Sequence, residues 1–484
     1  MSTRELARTT TTTTTTRASE NVIRTVNPAT GQVIDEYPIT TKEQIDHKVK
    51  RAKEAFQEWK RDHNKRRDFL YELAHVLRKS KEELARIATT EMGKPIKEAR
   101  SEVEKCVRTV QYFADNMETF TKEQVINTDA RNSIVKFQPI GLIASIMPWN
   151  FPYWQALRFA APSMVLGNTI ILKPASATTL CGIKIEEKCQ ESGGPEGVFQ
   201  TIVGSSKEAE NLIDSPEVNA VTFTGSVSAG AKVAQRAASQ IKKCVLELGG
   251  SDPFVVCEDA DIEKASTGAV KGRFVNCGQS CIASKRFIVT KSVANEFKEK
   301  FIQKTEKLRV GDPLDDNTDI GPLVNINGLE TIEAIVKDST RSGAELYIGG
   351  NKIGDEGGCF YEPTILGKVE PRMRIAQEEV FGPVAPIIIV ENEADAIHLA
   401  NKTPYGLGAS LWTKNLGKAE SYSDLIDAGV VTVNNIVASD PRVPFGGVKK
   451  SGFGRELSRY GMLEFANIKS VRFYDELVHY HHVE

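Results

Sequence analysis

Cys277 and Cys281 stand four residues apart in NCGQSC, with Gly278 between them. Two thiols at that spacing admit four chemistries: a metal-ligand pair, a disulfide, a nucleophile beside a bystander, or two buried and inert side chains. A structural metal site needs about four ligands and combines close pairs of cysteine or histidine. The chain has no CxxC and no HExxH, and its histidine cluster, His479, His481 and His482, stands apart at the C-terminus. No metal site is expected. The eight cysteines show no framework spacing and no secretory leader precedes them, which points to free thiols in a reducing compartment.

The neighbourhood distinguishes the two thiols. GRFVNCGQSCIASKRFIV reads as helix up to Asn276, then a glycine break, with Cys281 just ahead of the apolar strand RFIV. A thiol on a turn held between regular elements can meet a ligand as a nucleophile. Upstream, Glu247 in LELGG follows an apolar run and precedes two glycines, making it a candidate base. Asn150 lies in MPWNFPYW between Pro148 and Pro152, where a stiffened turn would aim its amide at an oxyanion. FTGSVSAG places Gly225, Ser226 and Gly230 where a strand turns into a helix, and free N–H groups at a helix start attract pyrophosphate. It lacks the G-x-G-x-x-G fingerprint. Lys173 in ILKPAS ends another apolar run, where it could reach a ribose or a phosphate.

Elements must position these residues. From about Asn21 to Phe120 the pattern is mainly helical: TKEQIDHKVKRAKEAFQEWK starts on Thr41 as N-cap and repeats Ile45, Val49, Ala52 and Phe56 at helical spacing. After Pro139, IGLIASIM, NTIILKP, VFQTIVG, NAVTFTG and KKCVLELGG alternate with helical stretches, the grammar of a parallel α/β sheet. Such sheets bind ligands at the carboxyl ends of their strands. SDPFVV, SKRFIVT, AELYIGG, PVAPIIIV, LGASLWT and GVVTVNN repeat the alternation and imply a second α/β domain.

Composition narrows the function. At 484 residues the chain is long enough for two or three domains, and 40% hydrophobic and 26% charged residues with net charge −2 describe a globular protein with no call for nucleic acid. The longest apolar runs fall short of the roughly 20 residues that cross a bilayer. Residues 1–20, with the run Thr9 to Thr16, lack an apolar h-region and read as a disordered tail.

Taken together, PWNFP, KPA, FTGS, ELGG, GQSC, EEVFGPV and PFGGVKKSGFGRE resemble the aldehyde dehydrogenase superfamily in order and spacing, from about Asn21 to Val471. The resemblance implies a Rossmann-type cofactor-binding domain (21–124 and 140–247), an α/β catalytic domain (248–450) and a small β oligomerisation ribbon (125–139 and 466–484). It implies Cys281 as nucleophile, Glu247 as general base and Asn150 as oxyanion donor. The cofactor would lie on Pro148, Trp149, Lys173, Ser176, Gly225, Ser226, Gly230, Leu248, Glu379 and Phe381. Cys281 would add to an aldehyde carbon; loss of hydride to NAD or NADP would leave a thioester, and water activated by Glu247 would release a carboxylate. Members selective for NAD commonly carry glutamate where Ser176 stands, so NADP is favoured over NAD. Arg158, on the helix after Asn150, matches an arginine by which succinate-semialdehyde dehydrogenases hold the distal carboxylate, with Phe445 and Ser439 as further substrate contacts. A second arginine of that subfamily is here Val275, which leaves other acid semialdehydes, or a broad specificity, as alternatives. A catalytically silent member would have lost Cys281, Glu247 or Asn150, and all are present. CoA in place of water at the thioester is a further alternative. The expected partners are an aldehyde and further copies of the chain as a dimer or tetramer, without nucleic acid or membrane, in the cytoplasm. Cys277 has no counterpart in the chemistry.

Overall fold

The computed structural model describes residues 21–354 and 357–475. The Thr-rich tail and the histidine cluster lie outside the described residues.

The apolar runs after Pro139 form a parallel sheet because their side chains are buried on both faces. Leu142–Ile146 and Thr169–Lys173 are buried throughout. Residues of opposite parity in these strands enter different cores: Ile143, Ile170 and Leu172 face one, and Leu142, Ala144 and Ile171 the other. Across the sheet the order is Gly452–Phe453, Lys243–Glu247, Val218–Thr224, Leu142–Ile146, Thr169–Lys173 and Phe199–Thr201. All pairings are parallel except that of the short Gly452–Phe453 edge. The chain therefore winds both ways from Leu142–Ile146, and the order reverses between that strand and Val218–Thr224. Ligands of doubly wound sheets bind at such a switch point, beyond the strand ends. MPWN and GSVS leave the sheet there.

A second sheet has seven strands, in the order Glu345–Ile348, Thr364–Gly367, Val384–Val390, Ser284–Thr290, Asp252–Val256, Gly408–Trp412 and Val430–Val433. Only its first pair is antiparallel. Thr364–Gly367 had no counterpart among the runs read from the sequence, because four residues give too short a pattern to separate from a loop. A third sheet pairs Ala466–Phe473 with Asn132–Pro139 and that strand with Gln124–Val125.

The helix Lys42–Trp59 starts on Thr41, whose hydroxyl closes a capping box with Gln44, and buries Ile45, Val49 and Ala52 as their spacing predicts. The expectation of helix from Asn21 needs correction: Val22–Val26 and Val33–Pro38 form an antiparallel hairpin. Its turn passes through Gly31 at φ +69°, a conformation glycine adopts without strain.

Two helices matter most for the site. Pro152–Leu166 is buried along its whole length. Its free N–H groups at Tyr153 and Trp154 donate to the Glu102 carboxylate, each at 2.9 Å. Glu102 lies on the helix Ile96–Thr121 and pairs with buried Lys94.

Candidate active site

The helix Ile262–Phe274 ends two residues short of its expected limit, and Asn276, Cys277 and Gly278 follow at φ +53°, +56° and +71°. Three successive left-handed residues reverse the chain, at a cost of about 1–3 kcal/mol for a residue such as cysteine. Surrounding groups hold the reversal. The Asn276 backbone N–H donates to Glu98 (2.8 Å), and its side-chain amide donates to the Asn150 carbonyl (2.8 Å). Buried Arg273 donates to the carbonyls of Ser284 (3.0 Å), Gly278 (2.9 Å) and Val380 (3.1 Å). Lys285 donates to the carbonyls of Ser280 (2.9 Å) and Cys281 (2.6 Å). The backbone of Cys281 is thus fixed on a loop rather than on regular structure. Cys277 is buried in the core around the seven-stranded sheet and lines neither of the cavities that Cys281 joins.

The first cavity, about 300 Å³, occupies the switch point. Pro148, Trp149, Asn150, Gly225, Ser226, Leu248, Glu379, Phe381 and Cys281 line it. Ser226 caps the helix Val227–Ala238, its hydroxyl accepting from the Ala229 N–H (3.3 Å). Gly230 sits where a Cβ would come within 2.4 Å of Leu248 Cδ2, so the helix packs closer here than any side chain allows. Trp149 and Phe381 meet edge to face at 5.7 Å. Glu379 accepts from the Gly250 N–H (3.0 Å) and stands 3.5 Å from Lys285. Lys173 and Ser176 are not among the lining residues; they stand at and just beyond the end of strand Thr169–Lys173. A helix start with an open turn, flat aromatic walls and a carboxylate fits a pyrophosphate, a nicotinamide ring and a ribose in that order. Thr224 Oγ1, buried in the wall without a protein partner, is a further polar atom left for a ligand.

The second cavity, about 520 Å³, meets the first at Cys281 and Gln155. Arg158, Phe445 and Ser439 all line it. The Arg158 Nε pairs with Glu456, and its guanidinium lies over the Phe445 ring, 5.0 Å from the centroid. Glu456 is held in place because its backbone and that of Phe445 exchange hydrogen bonds of 2.7 and 2.8 Å. The Asn150 amide reaches toward the loop that carries Cys281, donating to the Gln279 carbonyl (3.1 Å).

Glu247 is near but outside both cavities. Its carboxylate oxygens are buried without a protein hydrogen-bond partner, and a Cβ on Gly446 would sit 2.8 Å from its Oε1. Burial, then the like charge of Glu456, holds its carboxyl well above the usual carboxylate range, against the pull of Arg158 and Arg455. Burial pushes the Cys281 thiol up to about 11, while Arg158 and Lys285 favour its thiolate. Both the Cys281 thiol and the Glu247 carboxyl are thus held toward their neutral forms, and they are close enough for the charge of Glu247 to act on the thiol.

Residues the sequence reading passed over also meet here. Lys105, Gln155 and Glu98 line the second cavity; Lys285, Asn276 and Glu456 hold first-rank side chains in place. One signal was available: Glu98, Ser101, Glu102 and Lys105 recur at helical spacing along one face of a long amphipathic helix. Among the described residues, Cys257, Asp259 and Glu393 come close enough to hold a metal. Lys418 already brings a positive charge to both carboxylates, at 3.8 and 2.9 Å.

The aldehyde dehydrogenase family pattern matches residues 14–471. A protein named probable succinate-semialdehyde dehydrogenase (NADP+) from Synechocystis sp. is 45% identical over 450 residues, 93% of this chain and 99% of the relative. The succinate-semialdehyde dehydrogenase (NADP+) of Mycobacterium leprae is 40% identical over 453 residues, again 93% and 99% of the two chains. Among solved structures, succinic semialdehyde dehydrogenase from Streptococcus pyogenes in complex with NADP+ superposes with a TM-score of 0.91 at 33% identity, covering 94% of this chain and all of that one.

Proposed function

The chain belongs to the aldehyde dehydrogenase family, and from that premise we propose that it oxidises succinate semialdehyde to succinate, with NADP favoured over NAD. The observation that carries this reading is the second cavity: it leads to Cys281 and brings a guanidinium, an ammonium and a hydroxyl, from Arg158, Lys105 and Ser439, to a largely apolar funnel. An aldehyde with a carboxylate at its far end suits that arrangement. The names of the Synechocystis and Mycobacterium relatives support it.

The Cys281 thiolate adds to the aldehyde carbon. The side-chain amide of Asn150 and the backbone N–H of Cys281 stabilise the oxygen that becomes negative. A nicotinamide coenzyme, when bound, accepts the hydride; Trp149, Gly225, Ser226, Glu379 and Phe381 would hold it, with Lys173 and Ser176 at the adenosine end. The acyl group stays on Cys281 as a thioester. Glu247, once its carboxylate swings from Gly446 toward Cys281, takes a proton from the water that hydrolyses it. Ser176 brings no negative charge against a 2′-phosphate, and the complex of the Streptococcus enzyme with NADP+ accords with this.

The test is a panel of aldehydes with NADP and with NAD, followed by absorbance of the reduced coenzyme. The highest kcat/KM is expected for succinate semialdehyde with NADP. An uncharged aldehyde used equally well would remove the substrate assignment, and Ser176→Glu leaving the NADP/NAD ratio unchanged would remove the coenzyme assignment. Cytoplasmic location and a homo-oligomer complete the proposal; among the described residues, no helix is long and apolar enough to cross a membrane.

A further inference from the structure

Lys285 stands near the start of strand Ser284–Thr290, and its side chain is 0% exposed. A buried ammonium has to be met by acceptors and by a counter-charge. Its Nζ donates to the carbonyls of Ser280 (2.9 Å) and Cys281 (2.6 Å), and the Glu379 carboxylate stands 3.5 Å away in the wall of the first cavity. Glu379 closes the circuit. Its Oε1 also accepts from the Gly250 N–H (3.0 Å), and a Cβ on Gly250 would lie 3.1 Å from the Cys281 carbonyl oxygen. One ammonium therefore reaches both the backbone that carries the thiol and a carboxylate of the first cavity, while Lys285 itself lines neither cavity. Arg158, the other cation favouring the thiolate, is held by Glu456.

We propose that Lys285 is a positioning residue that ties the Glu379 carboxylate to Cys281, so that the charge at Glu379 sets how strongly the ammonium is drawn to the Cys281 carbonyl. The proposal rests on the reading of Cys281 as nucleophile and of Glu379 as a coenzyme contact. With Glu379 ionised and unengaged, the ammonium is shared between that carboxylate and the two carbonyls. A ribose hydroxyl donating to Glu379 takes up part of the charge and leaves the ammonium to the Ser280 and Cys281 carbonyls.

The charges facing the thiol give the sign. Burial pushes it up to about 11; Arg158 and then Lys285 oppose this, and Glu247 and Glu379 add to it. Asp252 is the other carboxylate facing Lys285: burial lifts it to about 7, helped by Glu379, against the pull of Lys285, the Gly408 N–H and Arg286. Removing the Glu379 charge should therefore make the thiol more acidic, and removing the Lys285 charge should make it less so. In the proposal Glu379 acts through Lys285; a carboxylate acting directly through space would not need the lysine.

A double-mutant cycle separates the two. The natural protein, Glu379→Gln, Lys285→Met and the double variant are treated with iodoacetamide without coenzyme, between about pH 8 and 10, and alkylation is read as the mass of the peptide bearing Cys281. Below the thiol pKa the rate follows the thiolate fraction, so one pKa unit is about tenfold in rate. Glu379→Gln should react about three- to tenfold faster than the natural protein, and Lys285→Met about tenfold slower. Adding Glu379→Gln to Lys285→Met should then change the rate by less than about twofold. Equal acceleration by Glu379→Gln in both backgrounds overturns the tie, as expected of a lysine that only braces the loop. An unchanged rate in Lys285→Met overturns the role of Lys285 altogether. Should that variant not fold, Glu379→Gln alone decides, and a rate equal to that of the natural protein overturns the proposal. A natural protein that still oxidises aldehydes after complete alkylation of Cys281 overturns the reading of Cys281 as nucleophile, and the proposal with it.

Discussion

Cys281 and Glu247 face opposite problems at the residue scale. In the proposed reaction the thiol must lose a proton that burial holds on up to about 11, and the carboxyl must be ionised to take one, although burial and Glu456 keep it neutral well above the usual range. Arg158 and Lys285 favour the thiolate, and a carboxyl with a raised pKa is a stronger base once ionised. Deacylation should therefore speed up with rising pH, since more of Glu247 becomes carboxylate. Glu247→Gln removes the proposed base and leaves the proposed nucleophile. A burst of about one reduced coenzyme per chain is expected, followed by turnover slowed about 10²–10⁴-fold and without the alkaline rise. Stopped-flow absorbance at several pH values checks both parts; a variant with no burst would show that Glu247 is needed to activate the thiol as well. Cys277 differs from its neighbour through packing alone, since its thiol faces a core instead of a cavity.

The element that presents Cys281, the proposed nucleophile, is the loop from Val275 to Ala283. No hydrogen-bond ladder shapes it; Arg273, Lys285, Glu98 and Asn150 do, each from a different segment of the chain. Gly278 stands at φ +71°, where a Cβ would lie 2.3 Å from the Gly382 carbonyl. Gly278→Ala should cost about 1–3 kcal/mol of local strain and lower kcat more than it lowers the melting temperature, because the loop gives way before the sheets do. Calorimetry beside steady-state kinetics checks this, and equal activity in the variant would mean the loop tolerates a shift of Cys281. The flanking elements were readable in advance: Ser284–Thr290 contains the apolar run Phe287, Ile288 and Val289, and Thr41 with Gln44 announces the first long helix. The hairpin Val22–Pro38 was not, since VIDEYP shows little of the alternation that marks a half-buried strand.

At the scale of the whole molecule, Ala466–Phe473 pairs with Asn132–Pro139 over eight residues, and among the described residues nothing pairs with its outer edge. Ile468 and Phe473 are exposed on it, and Val125 and Ile126 at the other side of the ribbon. A flat edge carrying apolar side chains invites pairing with another chain. If the proposed homo-oligomer forms through this edge, Ile468→Asp should shift the protein toward monomer in sedimentation velocity; an unchanged sedimentation coefficient would remove the edge as the subunit contact. The sequence by itself determined the alternation of strands and helices, the turns after each strand end, and the types of Cys281, Glu247, Asn150 and the glycines, because local periodicity and a close-approach turn are written in neighbouring residues. Only the tertiary structure decided that Arg158 is taken by Glu456, that Lys105 faces the cavity beside Ser439, and that Glu247 waits outside it. Those outcomes depend on which charges become neighbours when segments far apart in the chain pack together, and spacing along the chain carries no record of that.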